Sequence, residues 1–163
     1  MSMKRIQAYL RNGPTFFLRM VVILIGLVVA GLCLVVLPTG ILTDQTGMYR
    51  PLLLGMYVPA IPFFIALHQS LRLLRYIDEE RAFSDLSVIA LRKIKKCGLS
   101  ISALYALGMP YIFHVADLDD APGVAAIGFI IIFASLVIAV FAAVLEKLLH
   151  HAIEIQSEND LTV

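Results

Sequence analysis

"VAAIGFIIIFASLVIAVFAAVL", residues 124–145, contains no Asp, Glu, Lys or Arg. About 20 predominantly apolar residues suffice for a helix to cross the hydrocarbon core of a bilayer. A helix of this length on the surface of a soluble protein would carry a polar face, and this stretch has none. Three further runs, residues 20–37, 52–71 and 98–115, are likewise free of acidic and basic side chains. The chain has 163 residues, 60% of them hydrophobic and 15% charged, with a mean hydropathy of +0.90. Four spans and their short connections use nearly all of it. The expected fold is all-α: one integral membrane domain over residues 1–163, built as a four-helix bundle.

Charge placement sets the expected orientation. Lys4, Arg5, Arg11 and Arg19 precede the first run, and Arg72, Arg75, Arg81, Arg92, Lys93, Lys95 and Lys96 lie between the second and third. The connection after the first run has only Arg50. The connection after the third has no base and carries Asp117, Asp119 and Asp120. Cytoplasmic loops carry the excess of Lys and Arg, so both termini, the loop 72–97 and a tail 146–163 are expected in the cytoplasm. The first run is expected to be an uncleaved anchor, because its apolar core is too long for a signal peptide and Pro38-Thr39-Gly40 is no small-residue cleavage site. The "VVAGLC" at residues 28–33 lacks the small residue that a lipoprotein box requires before its cysteine. Cys33 and Cys97 are expected near opposite membrane faces, too far apart for a disulfide.

Local signals refine the spans. "RNGP", residues 11–14, reads as a turn before the first helix. Pro51 suits the opening of the second helix, while Pro59, Pro62 and Pro110 fall inside spans and bend them. Ser84 reads as an N-cap, Asp85 favours the positive end of the helix dipole, and Phe83 is placed to staple onto Val88. The third helix is therefore expected to begin well before its apolar run. Leu145, Leu148, Leu149, Ala152 and Ile153 share one helical stripe, opposite Glu146, Lys147, His150, His151 and Glu154. That stripe needs a cover: the second and third helices, the membrane surface or another protein. An offset of roughly 78 residues lays the first hairpin on the second as a weak two-hairpin internal repeat. It aligns "EERAFS" (79–84) with "SENDLT" (157–162), both read as acidic turns.

Chemistry is sparse. An intramembrane hydrolase or proton-coupled carrier needs ionisable groups at depth, and no span has one near its middle, so no catalytic residue and no enzymatic activity are expected. His68, Cys97, His150 and His151 lack a zinc spacing, since adjacent helical side chains point about 100° apart. His114 with Asp117, Asp119 and Asp120 reads as a solvated acidic loop more readily than a cation site. No metal and no cofactor is expected. The mixed signs over residues 76–96 argue against direct nucleic-acid binding, and Arg92–Lys96 is better placed to meet anionic headgroups of the lipid bilayer. Small residues recur every fourth position, Ser135, Ala139 and Ala143 on the fourth span and Gly26 with Ala30 on the first. Such rows allow close helix approach within one chain or between chains, so homo-oligomer formation stays open.

"YVPAIPFF" (57–64), "AFSDLSVIALRKIKK" (82–96) and the closing "SENDLTV" (157–163) resemble a family of small four-span bacterial membrane proteins of unknown function, DUF2975-like. The resemblance covers roughly residues 52–163; the first span matches only as an apolar run. It implies a multi-pass protein of the bacterial cytoplasmic (inner) membrane. It also implies pairing with an Xre-type helix-turn-helix regulator, which such a protein would hold or restrain. No catalytic residues come with it.

The resulting expectation is a non-catalytic regulatory membrane protein that binds a cytoplasmic partner through its central loop and tail. The residues expected to form that surface are Phe83, Ser84, Asp85, Arg92, Leu149, Ile153, Asn159, Asp160, Leu161, Thr162 and Val163. The alternative is a subunit of an oligomeric transporter, channel or larger membrane complex. That reading needs a polar path, for which the sequence supplies Ser100, Ser102, Tyr105 and Tyr111.

Overall fold

The computed structural model describes the backbone of residues 3–162 and the side chains of residues 13–162; Val163 lies outside the described residues. The chain is all-α. Four helical segments are long and apolar enough to cross a membrane, over Gly13–Thr43, Arg50–Asp78, Asp85–Leu118 and Pro122–Leu161.

The first span comprises α1 (Met3–Gly31), a π-helical turn (Leu32–Val36) and α2 (Leu37–Thr43). Two expectations change here. The "RNGP" stretch is no turn, because α1 runs straight through Pro14; a proline removes a single N–H, and the helical residues around it satisfy the rest. The span also continues past residue 37, and the π-turn is what lets it do so. Pro38 has no N–H to offer, and the ladder slips one residue just before it, with the Leu37 N–H reaching back to the Leu32 carbonyl.

The second span is broken in two, α3 (Arg50–Gly55) and α4 (Tyr57–Asp78), with Met56 at the junction. Pro51 opens α3 as expected. The break falls one turn before Pro59, whose absent N–H leaves the Gly55 carbonyl without its helical donor. Pro62 and Pro110 lie inside otherwise continuous helices. The third span is α5 (Asp85–Leu118) and the fourth is α6 (Pro122–Leu161).

Packing follows chain order: the first span lies on α4, α4 on α5, and α5 most extensively on α6. Both rows of small residues serve these contacts. A Cβ on Gly98 of α5 would stand 2.9 Å from the Ser135 carbonyl oxygen and 3.1 Å from the Ala139 Cβ on α6. A Cβ on Gly26 would stand 2.6 Å from the Leu67 Cδ2 of α4. Close approach is thus used inside the chain. A cluster of Met109, Ile112, Ala116 and Ala125 closes the far end of the α5–α6 pair. Many large apolar side chains, among them Leu34, Phe133 and Phe141, face outward, as the surface of a protein solvated by lipid does.

At that far end the loop after α2 is organised by one carboxylate. Asp44 Oδ1 accepts from the Thr46 hydroxyl (2.8 Å), the Thr46 N–H (3.1 Å) and the Gly47 N–H (3.1 Å). Its Oδ2 accepts from the Tyr49 N–H (2.9 Å) and the Arg50 N–H (3.2 Å). Gly47 sits at φ 72° and allows the turn. The Tyr49 hydroxyl donates to Asp119, and the Tyr111 hydroxyl to the Met48 carbonyl at 2.8 Å, tying this loop to α5 and the α5–α6 turn.

Candidate functional site: the charged end of the third and fourth helices

At the opposite end the chain turns from α4 into α5 within six residues. The Arg81 N–H bonds the Tyr76 carbonyl (2.8 Å) and the Glu80 N–H bonds the Ile77 carbonyl (3.2 Å). This is a Schellman turn, with Glu80 at φ 60° where glycine is usual. Within residues 72–97, residues 72–78 complete α4 and 85–97 open α5, whose early start the sequence leads one to expect. Ser84 occupies the N-cap position with extended φ and ψ and α5 starts at Asp85, but its hydroxyl makes no cap bond to the helix. It donates back to the Arg81 carbonyl at 2.7 Å. Of the two residues of the expected staple, Val88 is buried while Phe83 is 64% exposed.

From there the site is a contact between α5 and α6. Glu146 accepts from Arg92 Nε on one carboxylate oxygen (2.8 Å) and from Lys95 Nζ on the other (2.6 Å). Its side chain is only 13% exposed. On the neighbouring helix pair, Arg19 bonds Asp78 at 2.8 Å and ties the first span to the end of α4. These pairs put the start of the first and third spans and the end of the second and fourth at one end of the molecule.

Beside this charged contact lies an apolar groove of about 450 Å³. Leu73 and Ile77 of α4, Ala82 and Phe83 of the turn, Leu91 of α5, and Leu145, Leu148, Leu149 and Ala152 of α6 line it. The stripe on the tail is thus partly covered by the second and third helices and partly open. Beyond the groove α6 continues as an exposed helix to Leu161, itself 84% exposed. The Thr162 hydroxyl closes it by donating to the Glu158 and Asn159 carbonyls (2.9 and 3.0 Å).

The structure brings Phe83 and Leu149 to one groove and holds Arg92 outside its lining, on Glu146; Ile153 is half-buried next to Ala152. Asn159, Asp160 and Leu161 stand apart on the projecting helix and Thr162 caps it, roughly 15–20 Å beyond Leu149 at 1.5 Å per residue. The two segments aligned by the repeat differ in conformation: 79–84 is a turn and 157–161 is helix, because the second has no residue in the left-handed region to end it. Sequence reasoning missed Lys95 and Glu146 as partners. Their only trace was a lone carboxylate at the end of an apolar run that faces a basic one.

The groups weighed as a metal site do not converge. The His150 ring lies 3.7 Å from Glu154, Cys33 and Cys97 are free thiols, and no group of three His, Cys, Asp or Glu gathers among the described residues. Of the residues offered for a polar path, Tyr105 and Tyr111 line a cavity of about 300 Å³ at the Met56 break. Ser100 lies elsewhere, its exposed hydroxyl turned to the Lys96 carbonyl, and Ser102 is buried.

A family model described as a protein of unknown function, DUF2975, matches residues 37–163. The chain belongs to the DUF2975 family. The match takes in α2, the broken second span, the charged contact and the groove, and leaves out α1 and the π-turn. An uncharacterized membrane protein of Bacillus subtilis (strain 168), YoaS, is 50% identical over 155 residues, covering 91% of this chain and 97% of its own length. No solved structure matches the chain. This DUF2975 protein is therefore similar over nearly all of its length to a membrane protein, and four of its own helical segments are long and apolar enough to cross a membrane.

Proposed function

We propose that the chain is a non-catalytic regulator of the bacterial cytoplasmic membrane that binds a soluble cytoplasmic protein at the charged end of α5 and α6. The observation that carries this reading is the groove shared by Phe83 and Leu149. It is apolar throughout, it lies where α4, α5 and α6 leave their apolar runs, and it continues into a helix that projects free of the bundle. An amphipathic helix laid into such a groove buries its apolar face. The excess of bases at this end supports its placement in the cytoplasm. The partner class named by the sequence resemblance, a helix-turn-helix regulator, is helical and fits this mode.

The test is affinity capture of the full-length protein from mildly solubilised native membranes beside a variant lacking residues 160–163. A helical regulator recovered with the full chain, and lost or at least tenfold reduced with the truncation, supports the reading. Equal recovery, or recovery of membrane proteins alone with both, moves the account to a subunit of a larger membrane complex.

A further inference from the structure

A second recess lies on the other side of the α5–α6 contact, with a volume of about 290 Å³. Val88, Arg92 and Lys95 of α5 and Ala143, Glu146, Lys147 and His150 of α6 line it. Three cations therefore face one carboxylate. Glu146 is already occupied by Arg92 and Lys95, one base on each oxygen. Arg92 gives it only Nε, which leaves the two Nη groups of a planar guanidinium fork pointing elsewhere. Lys147 makes no ion pair among the described residues and is exposed. His150 is discounted, because Glu154 lies 3.7 Å from its ring.

The carboxylate thus acts as a clamp. It fixes two bases across the helix pair and is too few by two charges to neutralise the recess. An uncommitted guanidinium edge beside a free ammonium suits a phosphate, which accepts from both. Position narrows the source. The apolar run of α6 ends at Leu145 and that of α5 begins at Gly98, so the recess sits at the level where hydrocarbon gives way to headgroups. Basic recesses between spans at that level hold anionic lipid headgroups.

We propose that the recess between Arg92, Lys95 and Lys147 is a binding site for the phosphodiester headgroup of one anionic phospholipid. The site is independent of the partner groove: it lies on the opposite side of the α6 tail and shares none of that groove's lining residues.

The experiment uses the full-length chain in a neutral detergent, titrated with phosphatidylglycerol, phosphatidylcholine or inorganic phosphate and read by native mass spectrometry. The expected result is one retained phosphatidylglycerol, with phosphatidylcholine held at least tenfold less tightly. Lys147→Gln, which removes no ion pair and so leaves packing intact, should weaken retention by about fivefold, the effect of one surface base. Arg92→Gln with Lys147→Gln should weaken it further. Lys93→Gln, a neighbouring base outside the recess, should leave it unchanged. Equal retention of the two lipids, or undiminished retention by Lys147→Gln, overturns the site. An equal loss with Lys93→Gln overturns it in favour of diffuse attraction. Inorganic phosphate held as tightly as the lipid overturns the lipid assignment in favour of a soluble phosphate ligand.

Discussion

The Tyr57 hydroxyl on α4 donates to the Cys33 main-chain carbonyl on the first span at 2.8 Å. That carbonyl lies in the π-turn, where the next N–H in register belongs to position 38, and residue 38 is proline. A side chain from the neighbouring helix supplies what the backbone cannot. A carbonyl left unmet in hydrocarbon is costly because no water is present to replace the donor.

Tyr57→Phe should therefore destabilise the first hairpin by about 1 kcal/mol, the usual worth of a hydrogen bond between membrane helices. Pro38→Ala returns an N–H to the ladder, so the same Tyr57→Phe change in that background should cost less. Unfolding of the four chains in mixed micelles measures the coupling; strictly additive effects would show that the hydroxyl does not serve the proline's vacancy.

Gly98 and Gly108 make a contrasting pair on α5. Gly98→Val should cost about 1–3 kcal/mol by forcing apart two helices whose backbones are in contact. At Gly108 an added Cβ meets nothing within 4 Å, so Gly108→Ala should be neutral or stabilising by about 0.5–1 kcal/mol. Thermal unfolding in detergent checks both, and similar effects at the two sites would contradict the packing.

The Asp44 loop carries a pH signature. The Thr46 hydroxyl first, and then the N–H groups of Tyr49, Thr46 and Gly47, hold the Asp44 carboxyl below its ordinary value of 3.8. A carboxylate whose folded value is depressed contributes fully above its unfolded value and loses that contribution as pH falls through the folded one. Amide exchange at Thr46, Gly47 and Tyr49 should therefore be protected and flat from neutral pH down to about 5, once corrected for intrinsic rates. Protection should fall only below 3.8. Asp44→Ala should lose it at every pH.

How much of this was legible in the sequence depends on the range of each interaction. The four spans were, because an uncharged apolar run of that length has few other fates. The start of α5 at Asp85 was legible from Ser84, although the hydroxyl bonds the turn behind it and not the helix ahead. The Asp44 loop was legible in principle: Asp followed by Thr two residues on and Gly three on is an Asx-turn pattern. The pairing of Glu146 with Lys95 and Arg92 was not, since it joins residues 51 and 54 apart and depends on the register in which Gly98 meets Ser135. The "RNGP" turn was over-read, because a local breaker signal gave way to a helix that continues on both sides of it.

Sidedness has its own check. In a chain with Cys33 and Cys97 changed to Ser, Asp117→Cys should react with a membrane-impermeant maleimide on intact cells, and Thr162→Cys only after the cells are opened. The reverse pattern would place the charged end of α5 and α6 outside, beyond reach of any cytoplasmic protein.

The most direct measurement is site-specific photocrosslinking in native membranes, with a photoreactive side chain at Phe83, at Leu149 and, as a lipid-facing reference, at Phe133. The expected result is one adduct common to positions 83 and 149, containing a soluble helical regulator, missing at position 133 and lost when residues 160–163 are removed. Adducts at 83 and 149 that contain only lipid or another membrane protein would contradict the account, and would make the groove a seat within the membrane.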